Sequence, residues 1–231
     1  MSDTSTDPLR TTERTTLDRH PERGTFERAA AYAILDEAFV THIGFATGRG
    51  PVVIPTVYGR DGDVVYFHGS HVSRMMKSLG AGTPMCFTVT LVDGLVLARS
   101  AFYHSANYRS VMLFGVARAI TDSAEKARAA RVIVEHVVAG RAAEVRAPSV
   151  KELRATAFLA LAIDEGSVKV RSGPPGDAPD DIAPDSPYLA TWAGVVPLSM
   201  TASPPIAEEH VPAGVVAPPA TERFIRARRR A

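Results

Sequence analysis

The residues best suited to chemistry lie in one stretch, Val64-Val65-Tyr66-Phe67-His68-Gly69-Ser70-His71-Val72-Ser73-Arg74-Met75-Met76-Lys77. A β-rich run ends at Gly69-Ser70, and a helix is predicted over Val72–Leu79. The first turn of a helix leaves backbone N–H groups without intrahelical partners, and the helix dipole draws an anion toward them. Ser70 and Ser73 add hydroxyls, Arg74 adds a guanidinium that pairs two oxygens at once, and Lys77 adds a point charge. A terminal phosphate needs that combination. The same residues also satisfy a plainer reading, a helix cap with two solvated cations. His68 likewise has two readings, an acid–base group beside a ligand or a rim residue with structural duty.

A second cluster, Tyr108-Arg109-Ser110, stands at the entrance to the apolar run Val111-Met112-Leu113-Phe114. It fits either a ligand-lining edge or a loop packed at a barrel rim. His20, His42, His104, His136 and His210 are scattered, and no metal is assigned. Cys86 is the only cysteine, which excludes an intrachain disulfide and a thiolate cluster; it reads as a small buried side chain.

These residues need a scaffold, and its texture is mostly β. Val40–Ala46, Val52–Tyr58 and Val64–His68 are short β-rich runs separated by Gly48-Arg49-Gly50 and the turn signal Asp61-Gly62. Met85–Val92, Leu95–Tyr103, Ser110–Ile120, Thr156–Ile163 and Ser167–Arg171 bring the strand count to about eight, with Asp93-Gly94 read as another hairpin turn. Thr25 is placed to cap a first helix. Asp122/Glu125 and Ser149/Glu152 have the spacing of capping boxes before two more. Many strands with few helices predict a mainly β (α+β) fold, an antiparallel closed or partly closed barrel. A dinucleotide-binding α/β sheet is excluded, because no helix alternates with the strands between Met85 and Ile120.

Taken in order, these pieces resemble the pyridoxamine 5′-phosphate oxidase-like superfamily of FMN-binding split barrels, in particular its nitroimidazole-resistance branch. The similarity runs through His42-Ile43-Gly44-Phe45, Ile54-Pro55-Thr56, Tyr66-Phe67-His68-Gly69-Ser70, Asn107-Tyr108-Arg109-Ser110-Val111 and Phe114-Gly115. It continues through Gly140-Arg141, Glu152-Leu153-Arg154-Ala155-Thr156, Lys169-Val170-Arg171 and Trp192-Ala193-Gly194, and so spans residues 25–198. The resemblance implies an FMN lying across two subunits of a homodimer. Its ring edge would meet backbone around Val53, Ile54, Pro55 and Thr56, and its phosphate would meet Ser70, Ser73, Arg74 and Lys77. Tyr108, Arg109 and Ser110 would line the site, and His68 would take the place of the branch's functional histidine. Many of these oxidases place Arg-Lys after the serine, whereas this sequence has Arg74-Met75 with Lys77 one turn on. That departure counts against vitamin B6 oxidation as the reaction.

The function read from the sequence is an FMN-dependent oxidoreductase acting on a small planar molecule. Two alternatives share the same features: a flavin-binding storage or sensing protein without turnover, and the same barrel holding a deazaflavin or haem. The 231 residues carry a formal charge of +1, so nothing in the bulk charge points to nucleic acid or membrane surfaces. The first residues lack the apolar core of a signal peptide, and the cytoplasm is the expected compartment. Composition divides the chain into a segment before about residue 25 without regular structure, a flavin-binding domain over 25–200, and a Pro-rich tail over 201–231. Tyr188–Leu198, with Trp192, is expected to pack on the core. In the tail, Phe224 and Ile225 beside Arg226–Arg230 could form a basic contact segment.

Overall fold

A computed structural model describes residues 5–228. Its strands are β1 (Gly24–Thr25), β2 (Val40–Thr47), β3 (Gly50–Asp61), β4 (Val64–Ser70), β5 (Pro84–Leu97), β6 (Ser105–Val116), β7 (Arg118–Ala119), β8 (Thr156–Ala162), β9 (Glu165–Arg171) and β10 (Gly194–Pro197). The helices are α1 (Arg28–Glu37), α2 (Arg74–Gly80), α3 (Ser123–Val137), α4 (Val150–Ala155) and α5 (Pro219–Ala227). The strands follow the path β1-β9-β6-β5-β2-β3-β4-β8-β7, antiparallel throughout, with β10 added to β5. The path does not close, as expected of a split barrel. β3 turns its corner: Gly50–Val57 pair with β2, and Tyr58–Asp61 pair with β4.

Period-2 alternation builds the main core from one face of each strand. Ile43, Phe45, Val65, Phe67, Met85, Phe87, Val111, Leu113, Leu159 and Leu161 meet there, joined by Ile34 and Leu35 of α1. The Tyr58 hydroxyl donates to the carbonyls of Leu35 and Ala38 at 2.6 and 3.2 Å, tying the end of α1 to the barrel. The opposite face of β4 and β8 carries a second core, in which Tyr66, Phe158 and Ala160 pack beneath Ala129 and Ile133 of α3. The Asp122 carboxylate accepts from the Glu125 amide at 2.8 Å, and Ser149 with Glu152 forms the reciprocal box that the spacing predicts. Among the described residues no helix is long and apolar enough to cross a membrane.

Four expectations are corrected. Asp93-Gly94 is not a hairpin turn; β5 runs on for 14 residues and bulges between Val92 and Gly94, while β6 pairs on both sides of the bulge. The inserted residue gives its carboxylate to Arg109, a tertiary reward that turn propensity does not register. The segment before Gly24 has regular structure, with 3₁₀ turns at Glu13–Thr15 and Pro21–Arg23, and Leu9 is only 2% exposed. Arg10, Thr12 and Arg14 all bind the Glu165 carboxylate, and the Arg14 guanidinium lies 4.8 Å over the Phe114 ring. In the tail, Pro219 opens α5 where its missing N–H costs nothing, Ala220 and Ile225 are buried, and the Ala220 amide donates to Glu144 at 2.8 Å. Arg229 and Arg230 of the basic run lie outside the described residues, as do residues 1–4. Finally, β10 docks on β5, yet Trp192 stays 65% exposed. Cys86 is half-buried rather than fully buried.

Two predictions test this packing. A Cβ on Gly59 would come within 2.7–2.8 Å of backbone atoms of Ile133 and Val132, since α3 lies directly on β3 there. Gly59→Ala should therefore cost about 1–3 kcal/mol and lower the unfolding midpoint by roughly 2–12 °C. An unchanged calorimetric midpoint would show that α3 is not seated at that glycine. The second test concerns pH. Arg14, with Thr12 and Arg10, holds the Glu165 carboxyl down from 4.5 to about 2. A depressed carboxylate contributes stability that is present above its unfolded pKa and lost as the pH falls through its folded one. Wild type should exceed Glu165→Gln in denaturation midpoint at pH 6, and that margin should shrink between pH 4.5 and 2.

Candidate functional site

The phosphate-competent segment folds much as its residue types require. The Ser73 amide donates to the Ser70 carbonyl at 2.9 Å, closing the turn from β4 into α2. Met75, Met76 and Leu79 then bury one side of α2 on the main core, so Arg74 and Lys77 face solvent. Gly69 permits this close seat, since a Cβ there would fall 2.9 Å from the Met76 Cγ. The Ser73 hydroxyl is not spent on capping its own helix. Among the described residues neither Arg74 nor Lys77 has an ion-pair partner, which leaves both charges free for a ligand.

Arg74 edges a pocket of about 490 Å³ between the β2–β3 hairpin and α2, lined by Phe45, Val52, Ile54, Arg49 and Ser78 among others. The structure thus brings Ile54 and Arg74 together, with an apolar wall beside a cationic rim. Arg49 and Ser78 are additions that the sequence reading missed. Arg49 arrives only through the β2–β3 hairpin, and no local spacing signals it. The other β3 residues divide by alternation: Val53 and Pro55 point outward and are exposed, while Ile54 and Thr56 are half-buried. Their side chains therefore do not share one wall.

Tyr108, Arg109 and Ser110 lie on β6, outside this pocket. Arg109 is already engaged: it grips Asp93 at 2.7 and 2.9 Å and also forks onto Glu37, with one of those bonds at 2.9 Å. Those two carboxylates raise its pKa further and neutralise its charge. Ser110 donates to the Val89 carbonyl at 3.0 Å, and Tyr108 is half-buried opposite Arg171. Within one chain this cluster is a brace for the β5 bulge. Nothing local in the sequence pairs Arg109 with Glu37, which lies 72 residues away.

His68 faces away from both sets. Phe67 is in the main core and Gly69 meets Met76, so the residue between them points to the other side of β4. Its ring stacks on Phe158 at 5.8 Å and 27°, at the edge of the second core. Its Nδ1 is buried without a hydrogen-bond partner among the described residues. Burial also pushes the imidazole pKa below its ordinary 6.5, so the ring is neutral at pH 7. A buried polar atom without a partner is costly, and such atoms mark sites where another group is received. His136 differs, because its Nε2 is within 2.8 Å of the Ala38 carbonyl and is already committed.

The family model described as pyridoxamine 5′-phosphate oxidase matches residues 27–170. Among solved structures, the flavocytochrome Anf3 of Azotobacter vinelandii is 38% identical, with 92% of this chain and 96% of that one covered at a TM-score of 0.84. A FAD and haem binding protein of Mycobacterium smegmatis is 36% identical, with 88% and 97% covered at a TM-score of 0.81. A protein of Bacteroides thetaiotaomicron described as a 5-nitroimidazole antibiotic resistance protein shares the fold at 22% identity, 64% and 86% coverage and a TM-score of 0.54. The comparison with curated proteins gives no match.

The burial of His68 is directly measurable. Its ring signals, assigned by their loss in His68→Ala, should titrate by NMR with a midpoint below 6.5. A midpoint at or above that value would mean that the imidazole is solvated or paired. A histidine buried neutral also lowers stability once the pH drops beneath its unfolded pKa, because the unfolded chain then binds the extra proton.

Proposed function

We propose that this chain, which belongs to the pyridoxamine 5′-phosphate oxidase family, binds a flavin nucleotide and a haem and works as an oxidoreductase. The observation that carries the flavin half is the unpaired Arg74 on a pocket whose wall includes Ile54. Similarity to a flavocytochrome and to a FAD and haem binding protein, each over most of its length, supports both halves. The sequence resemblance implies FMN; the M. smegmatis similarity favours FAD. Both carry the phosphate that Arg74 would receive.

Arg74 would bind a phosphate through paired, charge-assisted bonds, with the Ser73 hydroxyl and the first amides of α2 completing the donor set. Phe45, Val52 and Ile54 would exclude water from the ring, and the β3 backbone would orient its polar edge. A bound flavin supplies the two-electron chemistry itself, and the chain positions and tunes it. His68 offers a neutral imidazole with an unpartnered nitrogen, the form in which histidine holds a metal. We place it as the residue that would hold the haem iron, in preference to an acid–base role beside the flavin. The outward face of the barrel, with Val53 66% and Met112 38% exposed, has no cover within the chain. A homodimer would cover it.

The purified protein should absorb as a flavoprotein and take up FMN or FAD more tightly than riboflavin, which lacks the phosphate. Arg74→Ala should weaken flavin binding roughly ten- to hundredfold, and more than Lys77→Ala, because a guanidinium pairs two oxygens where an ammonium acts as a point charge. Equal affinities for riboflavin and both nucleotides would return this segment to a helix cap. His68→Ala should retain the flavin and lose or shift the haem Soret band. An unchanged band together with slower flavin reoxidation would instead restore the acid–base role.

A further inference from the structure

Beside the second core lies the largest groove described in the chain, about 760 Å³, between α3 and residues 142–148. That volume is in the roughly 300–1,000 Å³ range of sites that bury a small-molecule ligand. Its walls are small and apolar: Ala127, Ala130 and Val134 on α3, facing Val145 and Pro148. Side chains this short, spaced along one side of a helix, leave a flat slot. Its rim is cationic, with Arg128, Arg131 and Arg146 against a single carboxylate, Glu152. Arg128 is held by Asp61, and Arg146 forks onto the exposed Glu152 at 2.6 and 2.8 Å. Arg131 is exposed and has no carboxylate partner among the described residues. A neutral ligand would leave that excess charge unanswered. The complementary ligand is planar and apolar with carboxylates at one edge.

The groove adjoins the only layer in which His68 takes part. Ala130 lines the groove and also packs on the second core, whose Phe158 stacks on the His68 ring. The flavin pocket at Arg74 lies on the opposite face of β4, so two ligands would have two separate sides of one strand. We infer that the groove between α3 and residues 142–148 seats the haem, with Arg131 and Arg146 receiving its carboxylates and Ala127 and Ala130 lying against its ring. This rests on the haem half of the reading above and adds the location and the anchoring residues.

The test titrates the full-length, flavin-loaded chain with ferric haem and follows the Soret band, with flavin fluorescence as an independent readout. Arg131→Glu should weaken haem binding roughly ten- to hundredfold. Val134→Trp, which fills the slot, should abolish it, and both should leave flavin affinity unchanged. The dimethyl ester of haem lacks the carboxylates, so it should bind wild type weakly and be indifferent to Arg131→Glu. Haem binding in wild type that neither substitution alters would put the seat elsewhere and overturn the inference. A wild-type chain that takes up no haem would overturn the haem reading itself, and the inference with it. Tighter binding of a long-chain fatty acid than of haem, lost in Arg131→Glu, would reassign the groove to a monocarboxylate.

Discussion

β4 buries both of its faces, and the rest of the arrangement depends on that. Val65 and Phe67 enter the main core, while Tyr66 enters the second one beneath α3. An isolated hairpin would leave one face to solvent. Here β3 turns the corner of the barrel, so β4 becomes a wall between two apolar layers. Successive side chains must then go to opposite compartments. Gly69 is consequently pressed against α2 while His68 stacks on Phe158. Residues adjacent in sequence are therefore assigned to different ligands.

The second organising feature is which cations are already neutralised. Arg109 is held by Glu37 and Asp93, Arg10 and Arg14 by Glu165, and Arg99 by the buried carboxylate of Asp177. Those ion pairs fasten the β5 bulge, the N-terminal segment and the chain beyond β9. Such partly desolvated, bidentate pairs fix geometry, and leaving one partner alone would be expensive. Arg74 and Arg131 have no such carboxylate, and each stands at the rim of a concave, largely apolar surface. Position alone therefore does not distinguish a structural arginine from a binding one; the carboxylates that the fold delivers to it do.

The two terminal segments follow the same logic. Neither has enough apolar residues to build a core of its own, and composition reads both as lacking regular structure. Each instead borrows a partner from the folded domain: Glu165 anchors the first, and Glu144 caps the incoming helix of the second. Leu9 and Ile225 then insert a single apolar side chain apiece.

How much was legible in the sequence follows from the range of the forces involved. Strand alternation, the Gly69-Ser70 turn, the Ser149–Glu152 cap and the helix bearing Arg74 are governed by contacts within a few residues, and the sequence by itself determined them. It also carried the family, because the motifs keep their order along 25–198. What lies beyond that range was decided by the tertiary structure. The Asp93 bulge became a bulge because Arg109 reaches it across β5 and β6, and Arg109 ceased to be a ligand residue because Glu37 arrives from α1. His68 was separated from Arg74 by the burial of both faces of β4, and Arg49 and Arg131 acquired their grooves from neighbours far along the chain. Charge neutralisation and burial are properties of the assembled surroundings, and a residue's identity does not contain them.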